Sequence, residues 1–160
     1  MNVPPSPSVN HHHVAKAAPS LRTFALAAVA QQVQHSFGNA NGHQPEAAYL
    51  QQQLTLADPQ QASWRTGLDA YLCAPVADQP LFCLYETLGL TLFEALVVAL
   101  ACAVEEDLMV GRVLAYVQAP IKSSRPTLGL LARALGETAV SPLRPLDTLL
   151  SGAAIKTGLL

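Results

Sequence analysis

A long apolar run occupies the middle of the chain, from Leu88 to Val104. After Thr91 its only charged residue is Glu94, and the remaining side chains are Leu, Phe, Val, Ala and Cys. A threonine followed three positions later by a glutamate is the pattern of a capping box, which predicts a helix over residues 92–104. A helix that is apolar on every side has no face for water, so we expect it inside a domain. Its 13 residues are too few to cross a bilayer, which needs about 20.

Shorter amphipathic segments flank this run. Apolar spacing and start signals predict helices over residues 21–37, 46–56, 60–72, 81–88, 108–118, 127–135 and 143–150, with a linker at residues 75–80. Residues 154–160 are predicted to form a β-strand, for which the sequence contains no return strand. Because proteins rarely leave an edge strand bare, we expect this chain to be the front part of a longer protein.

This pattern divides the chain into three parts. Residues 1–19 are rich in Pro and Ser and poor in bulky apolar side chains, which predicts a disordered tail. Residues 20–75 are predicted to form a helical piece of unknown role. Residues 80–160 follow the order helix, connector, helix and possible hairpin, which is that of a winged-helix module. The predicted fold class is mainly α: a helical N-terminal piece plus a winged-helix-like (helix-turn-helix) domain with a truncated β wing.

Composition favours a large core under a thin polar surface. Apolar residues make up 51% of the chain and charged residues only 12%, with a mean hydropathy of +0.27. A surface so poor in charge often binds a partner. Residues 1–107 carry three basic and nine acidic residues, whereas residues 108–160 carry six basic and two acidic ones. The basic C-terminal third fits an anionic partner or, as the simpler interpretation, a solvated surface that balances an acidic neighbour.

Motifs for catalysis are lacking in the sequence. It contains no GxxxxGK[ST], GxSxG, HExxH or GxGxxG pattern, so we predict no catalytic residue and no cofactor site. Cys73, Cys83 and Cys102 have apolar neighbours and no CxxC spacing, which predicts small buried side chains in a reducing compartment. Three adjacent histidines, His11–His13, lie in the predicted tail without preorganised geometry, so we predict no metal site. No secretory signal is evident, and the predicted location is cytoplasmic.

The segment IKSSRPT, residues 121–127, carries the most suggestive polar side chains. Lys122, Ser124 and Arg125 precede a predicted helix N-terminus, where unpaired N–H groups and the helix dipole favour an anion. Arg133 lies on the helix that follows. These four residues are candidate contacts for an anion or a partner, although a Pro-started helix with a basic cap is the simpler interpretation. For DNA, Arg133 is the only base-reading candidate on that helix.

The same residues carry a resemblance to a known family. Residues 81–160 resemble the winged-helix domain that precedes the ATPase module in bacterial AAA+ ATPases, including those associated with contractile injection systems. The matching positions are Leu88-Gly89-Leu90-Thr91, Glu94, Asp107, Arg112, Tyr116, Gln118 and Arg125-Pro126-Thr127. The resemblance implies a ring-forming parent that hydrolyses ATP through Walker motifs outside this sequence. ATP and Mg²⁺ are therefore expected only in that downstream module, and residues 154–160 would be the first strand of the wing.

The predicted function is that of a non-catalytic N-terminal accessory region of such an ATPase. It would bind a protein partner, or dock on its own ATPase module, through Leu/Ala-rich grooves and anchors such as Trp64. The alternative is a DNA-binding winged-helix regulator that uses residues 122–135. A third hypothesis, a membrane-associated helical protein, is suggested by residues 92–104 alone, and no membrane partner is predicted.

Overall fold

The fold is known from a computed structural model that describes residues 19–37, 44–60, 63–73 and 80–160. Within these ranges the chain forms α-helices and one 3₁₀ turn, and no strand, so the mainly α class is confirmed. The helices are α1 (Leu21–Phe37), α2 (Pro45–Ala57), α3 (Trp64–Cys73), α4 (Pro80–Leu88), α5 (Leu92–Glu106), α6 (Leu108–Val117), α7 (Leu128–Leu135), α8 (Pro145–Leu150) and α9 (Ala153–Lys156), with the 3₁₀ turn at Gly136–Thr138. The predicted tail and most of the predicted linker lie outside the described residues.

Helix α5 lies at the centre of the fold. Every side chain from Phe93 to Leu100 is buried, and α1, α4, α6, α7, α8 and α9 all pack against this helix. The predicted capping box is present, with Thr91 Oγ1 accepting from the Glu94 N–H and the Glu94 carboxylate accepting from the Thr91 N–H. Burying a Leu, Val or Phe side chain contributes about 1.5–3 kcal/mol. The predicted internal helix is therefore confirmed, and the packing of the other helices around it is a main source of stability.

Helix α1 is a second buried helix. Its residues from Phe24 to Ala30 are all buried, and four of these seven are alanines. Small side chains allow close approach of neighbouring helices, and α1 contacts α2, α3, α5 and α7. One hydrophobic core therefore joins the N-terminal helices to the C-terminal ones.

Asp107 links the start of α6 to α1 and α2. One oxygen of its carboxylate accepts from the Met109 N–H at 2.8 Å and caps α6, as the sequence predicts. The other oxygen accepts from the Arg22 guanidinium at 2.6 Å and from the Tyr49 hydroxyl at 3.2 Å. The Met109 N–H foremost, together with Tyr49 and Arg22, outweighs partial burial and holds the pKa of Asp107 below its ordinary value.

Glu94 joins α5 to the C-terminal helix α9. Its carboxylate is almost fully buried, with Oε2 accepting from the backbone and the hydroxyl of Thr91, each at 2.8 Å. Oε1 accepts from the Ala154 N–H at 2.8 Å, at the first turn of α9. Burial alone would raise the pKa of Glu94, but the hydrogen bonds from Ala154, Thr91 and Ala153 outweigh it, and the pKa is lowered. One charged group thus stabilises two helix N-termini.

The predicted strand over residues 154–160, and with it the truncated wing, is wrong. Ala153–Lys156 is a helical turn because Glu94 accepts from its first N–H groups. Gly158 then adopts a positive φ of 75°. Its N–H donates to Ile155 and the N–H of Leu159 donates to Ala154, which is the Schellman pattern of a helix end. A glycine in this conformation ends a helix and does not continue a strand.

Among the described helices, none combines the length and the apolar character that a membrane crossing requires.

We predict that Gly152→Ala destabilises the fold. A Cβ at this position would overlap the Glu94 carboxylate and lie 2.8 Å from the Thr148 carbonyl oxygen. Overpacking of this kind costs about 1–3 kcal/mol, measurable as a loss in the free energy of unfolding by urea denaturation followed by circular dichroism. Gly129→Ala is the matched control, since a Cβ at Gly129 would meet no atom within 4 Å. Equal losses in both variants would contradict the role given to the Glu94 contact.

The pH dependence of stability provides a second test. Since the pKa of Glu94 is lowered by folding, the stability that it contributes is present above the unfolded pKa of about 4.3 and is lost as the pH falls through the folded pKa. Glu94→Gln is expected to be less stable than the native chain by about 1–3 kcal/mol near pH 7, because an amide donor then faces backbone donors. Urea denaturation at a series of pH values should show this difference narrowing below about pH 4. A difference that stays constant with pH would contradict the assignment.

Candidate functional site

An apolar groove lies where the surrounding helices leave one side of α5 uncovered. Its volume is about 630 Å³, and its lining comes from α5, α7, α8 and α9 with the segment after α9. The buried floor includes Val97, Leu131 and Leu149. The sides are formed by large side chains that remain exposed to water: Leu128 at 49%, Leu150 at 60%, Ile155 at 38% and Leu160 at 40%. Apolar side chains of this size gathered around one groove are typical of a binding surface.

Charged residues meet the groove at the C-terminal end of α5. Glu105, Glu106 and Arg125 are the charged residues in its lining. Arg125 donates to Glu105 at 3.2 Å, and Arg22 contacts Glu106 at 3.5 Å. The pair between Arg125 and Glu105 is exposed and the pair between Arg22 and Glu106 is partly exposed, so each stabilises the fold by no more than about 1 kcal/mol. The groove therefore has an apolar body and a polar, mostly acidic end.

Gln118 holds the connector between α6 and α7, residues 119–127, which brings Arg125 to the groove. Its buried side-chain amide donates to the carbonyls of Ser123 and Arg125, each at 2.9 Å. Its carbonyl oxygen accepts from the Thr127 N–H at 2.8 Å. Thr127 in turn caps α7 by accepting from the Leu130 N–H. One glutamine side chain thus fixes residues 119–127 and the start of α7. Its position at the end of an apolar helix was readable from the sequence, but its hydrogen bonds to the connector were not.

The structure places the four predicted polar contacts at two locations. Lys122, Ser124 and Arg125 lie exposed on the connector, where Lys122 adopts a positive φ of 54°. Arg133 is exposed near the end of α7 and lines two polar clefts that contain Gln32. Of these four, Arg125 reaches the apolar groove.

Trp64 is a core residue, so its prediction as a surface anchor is wrong. Only 2% of its area is exposed, and its indole N–H donates to Gln31 Oε1 at 2.6 Å. The Arg65 guanidinium covers the ring at 5.4 Å from its centre. Trp64, Leu68 and Tyr71 lie at helical spacing and form the buried side of α3. Helical spacing does not show whether an apolar side chain packs in the core or binds a partner.

The cysteines also differ from the prediction. Cys73, Cys83 and Cys102 are exposed, not buried, and Cys102 lies in the lining of the groove. In the part of the chain that the structure describes, no three His, Cys, Asp or Glu side chains are grouped so that they could hold a metal ion. The predicted absence of a metal site at His11–His13 lies outside the described residues. Among the described residues, the apolar groove is the candidate binding site.

We predict that Gln118→Leu loosens the connector. Losing its hydrogen bonds leaves the Ser123 carbonyl and the Thr127 N–H without their partner and the Arg125 carbonyl with only the Ser123 hydroxyl, at a cost of about 1–3 kcal/mol. Hydrogen exchange measured by mass spectrometry should become faster over residues 119–130 and remain slow in α5. Gln52→Leu, at an exposed position of α2, is the control and should leave exchange in the connector unchanged. Unchanged exchange in Gln118→Leu would contradict the role of this side chain.

Comparisons with family models, with curated proteins and with solved structures find no match to this chain. The resemblance to the AAA+ accessory domain therefore stays a prediction.

Proposed function

We propose that this chain is a non-catalytic helical module that binds a protein through the groove between α5, α7, α8 and α9. The observation that carries the proposal is the set of large side chains that stay half exposed around a buried apolar floor. Removing such side chains from water on binding supplies the main favourable term in protein association. A few large side chains at the centre of an interface supply most of its affinity.

The resemblance of residues 81–160 to an AAA+ accessory domain suggests which protein the groove binds. An accessory domain of an AAA+ ATPase has its attached ATPase module as a neighbour, and the proposed role is docking on that module or recruiting its protein substrate. The order of α6, connector and α7 fits the helix-turn-helix part of such a domain. In this proposal the chain is cytoplasmic, and ATP and Mg²⁺ belong to the ATPase module.

The alternative of DNA binding finds less support. Its favourable observation is that Lys122 and Arg133 are exposed cations for which the described residues provide no ion pair. However, α7 buries Leu130, Leu131, Ala134 and Leu135 and exposes Leu128, Gly129 and Arg133. A helix that reads bases in the major groove presents several polar side chains, whereas the exposed side of α7 is mainly apolar. This composition favours a protein partner.

Site-specific photocrosslinking tests the proposed function. A photoreactive amino acid at position 150, in the groove, is expected to give a covalent adduct with a protein in cells of the natural host. The same group at position 143 is the control, because Leu143 is 95% exposed and lies outside the groove lining. Adducts at neither position, or equally at both, would contradict docking through the groove.

The same proposal predicts the effect of single substitutions on affinity. Leu150→Ser and Leu128→Ser should each weaken binding of the crosslinked protein at least tenfold, equivalent to about 1.4 kcal/mol, whereas Leu143→Ser should leave it unchanged. Isothermal titration calorimetry provides the measurement. A duplex-DNA titration at low and high salt tests the alternative, since DNA binding through Lys122 and Arg133 would weaken steeply with salt. Salt-sensitive DNA binding together with no effect of Leu150→Ser would favour the alternative.

A further inference from the structure

We infer that the occupant of the groove is an amphipathic α-helix with a lysine or arginine at the end that meets Glu106. This inference rests on the proposed function and specifies the chemistry of the partner.

A helical occupant follows from the nature of the lining. Helices form most of the groove, and the backbone groups in the interior of α5 are bonded within that helix, so this part of the lining presents mainly apolar side chains. The described residues contain no strand whose edge could pair with an extended peptide. An extended peptide in the groove would bury unpaired N–H and C=O groups, which is costly. A helix satisfies its own backbone and presents one apolar side to such a groove.

The length of the groove sets the length of the apolar stripe. The apolar part of its lining on α5 runs from Val97 to Val104, a rise of about 11 Å at 1.5 Å per residue, which is about two helical turns. A partner helix covers this distance with apolar residues at positions i, i+3 or i+4, and i+7. A segment of three to four turns contains that stripe and a charged residue beyond it.

The charge of the occupant follows from the acidic end of the groove. The lining contains two carboxylates, Glu105 and Glu106, and one cation, Arg125, and the C-terminus of α5 adds partial negative charge. Arg125 is paired with Glu105 at 3.2 Å. Arg22 makes its short bond to Asp107 at 2.6 Å and reaches Glu106 only at 3.5 Å. The Glu106 carboxylate, 66% exposed, is therefore best placed to accept a hydrogen bond from a cation of the partner.

An unbiased peptide selection tests this chemistry. A display library of 14-residue peptides is selected for binding to the full chain. Peptides that also bind the Leu150→Ser variant are discarded. The expected result is enrichment of apolar residues at helical spacing with a Lys or Arg beyond one end of the stripe. Three results would overturn the inference: apolar residues enriched at every second position, acidic residues enriched at the ends of the peptides, or no enriched peptide whose binding depends on Leu150.

Charge substitutions then identify the contact. An enriched peptide labelled with a fluorophore should bind Glu106→Gln about two- to fivefold more weakly than the native chain, as expected for an exposed ion pair. Glu86→Gln changes the net charge equally at an exposed position of α4 outside the groove lining, and should not change the affinity measured by anisotropy. A proline at the centre of the polar side of the peptide should weaken binding at least tenfold, because it breaks the helix. Equal effects of the two glutamate substitutions, or no effect of proline, would overturn the inference.

These results separate the inference from the proposed function. A protein crosslinked at position 150 but not at position 143 supports groove docking whatever peptides are enriched. If that protein occupies the groove with an extended or acidic segment, the inference is wrong and the proposed function stands. If no protein crosslinks in the groove, the proposed function fails by itself.

Discussion

The constraint on which the structure depends is that α5 has no polar side along its first two and a half turns. Water must be excluded from every direction around Phe93–Leu100, and six other helices meet that requirement. These helices bury this part on all sides. Beyond Leu100 they bury one side only, where Ala103 is buried, Ala101 and Val104 are partly buried and Cys102 is exposed. The groove is thus the place where the cover of α5 is incomplete. The core and the candidate site are two parts of the same helix.

A polar contact positions one of the helices that line the groove. Hydrophobic contacts have little directionality, whereas the Glu94 carboxylate accepts from defined N–H groups of Thr91 and Ala154. Its burial is tolerated because these hydrogen bonds replace water. Gln118 acts in the same manner on the connector before α7, which brings Arg125 to the groove. A buried carboxylate and a buried amide therefore position two of the segments that line the groove.

The sequence predicts those features that depend on neighbouring residues. Thr91 with Glu94 and Asp107 with Met109 are pairs within three positions, so the starts of α5 and α6 were correctly predicted. Features that depend on residues far apart in the sequence were not predicted. Residues 153–156 have a composition compatible with a strand, and they are helical because of Glu94, which lies 60 positions earlier. The groove combines residues from Val97 to Leu160, so no local pattern contains it. The cysteines show the same limit, since apolar neighbours in sequence do not determine which side of a helix faces the core. For Trp64, helical spacing indicates an apolar side of α3 but not whether the core or a partner covers it.

The bond between Glu94 and α9 also couples the site to the folding equilibrium. Ile155 and Leu159, which flank the groove, belong to the same short C-terminal unit as Ala154. Local detachment of this unit would remove one wall of the groove, so a ligand bound there must shift the equilibrium toward the attached state. By reciprocity, a change that lowers the populated fraction of the attached state lowers the apparent affinity for the ligand in the same proportion. Residues that never touch a partner, Glu94 and Gly152 among them, thereby become determinants of how tightly it is held.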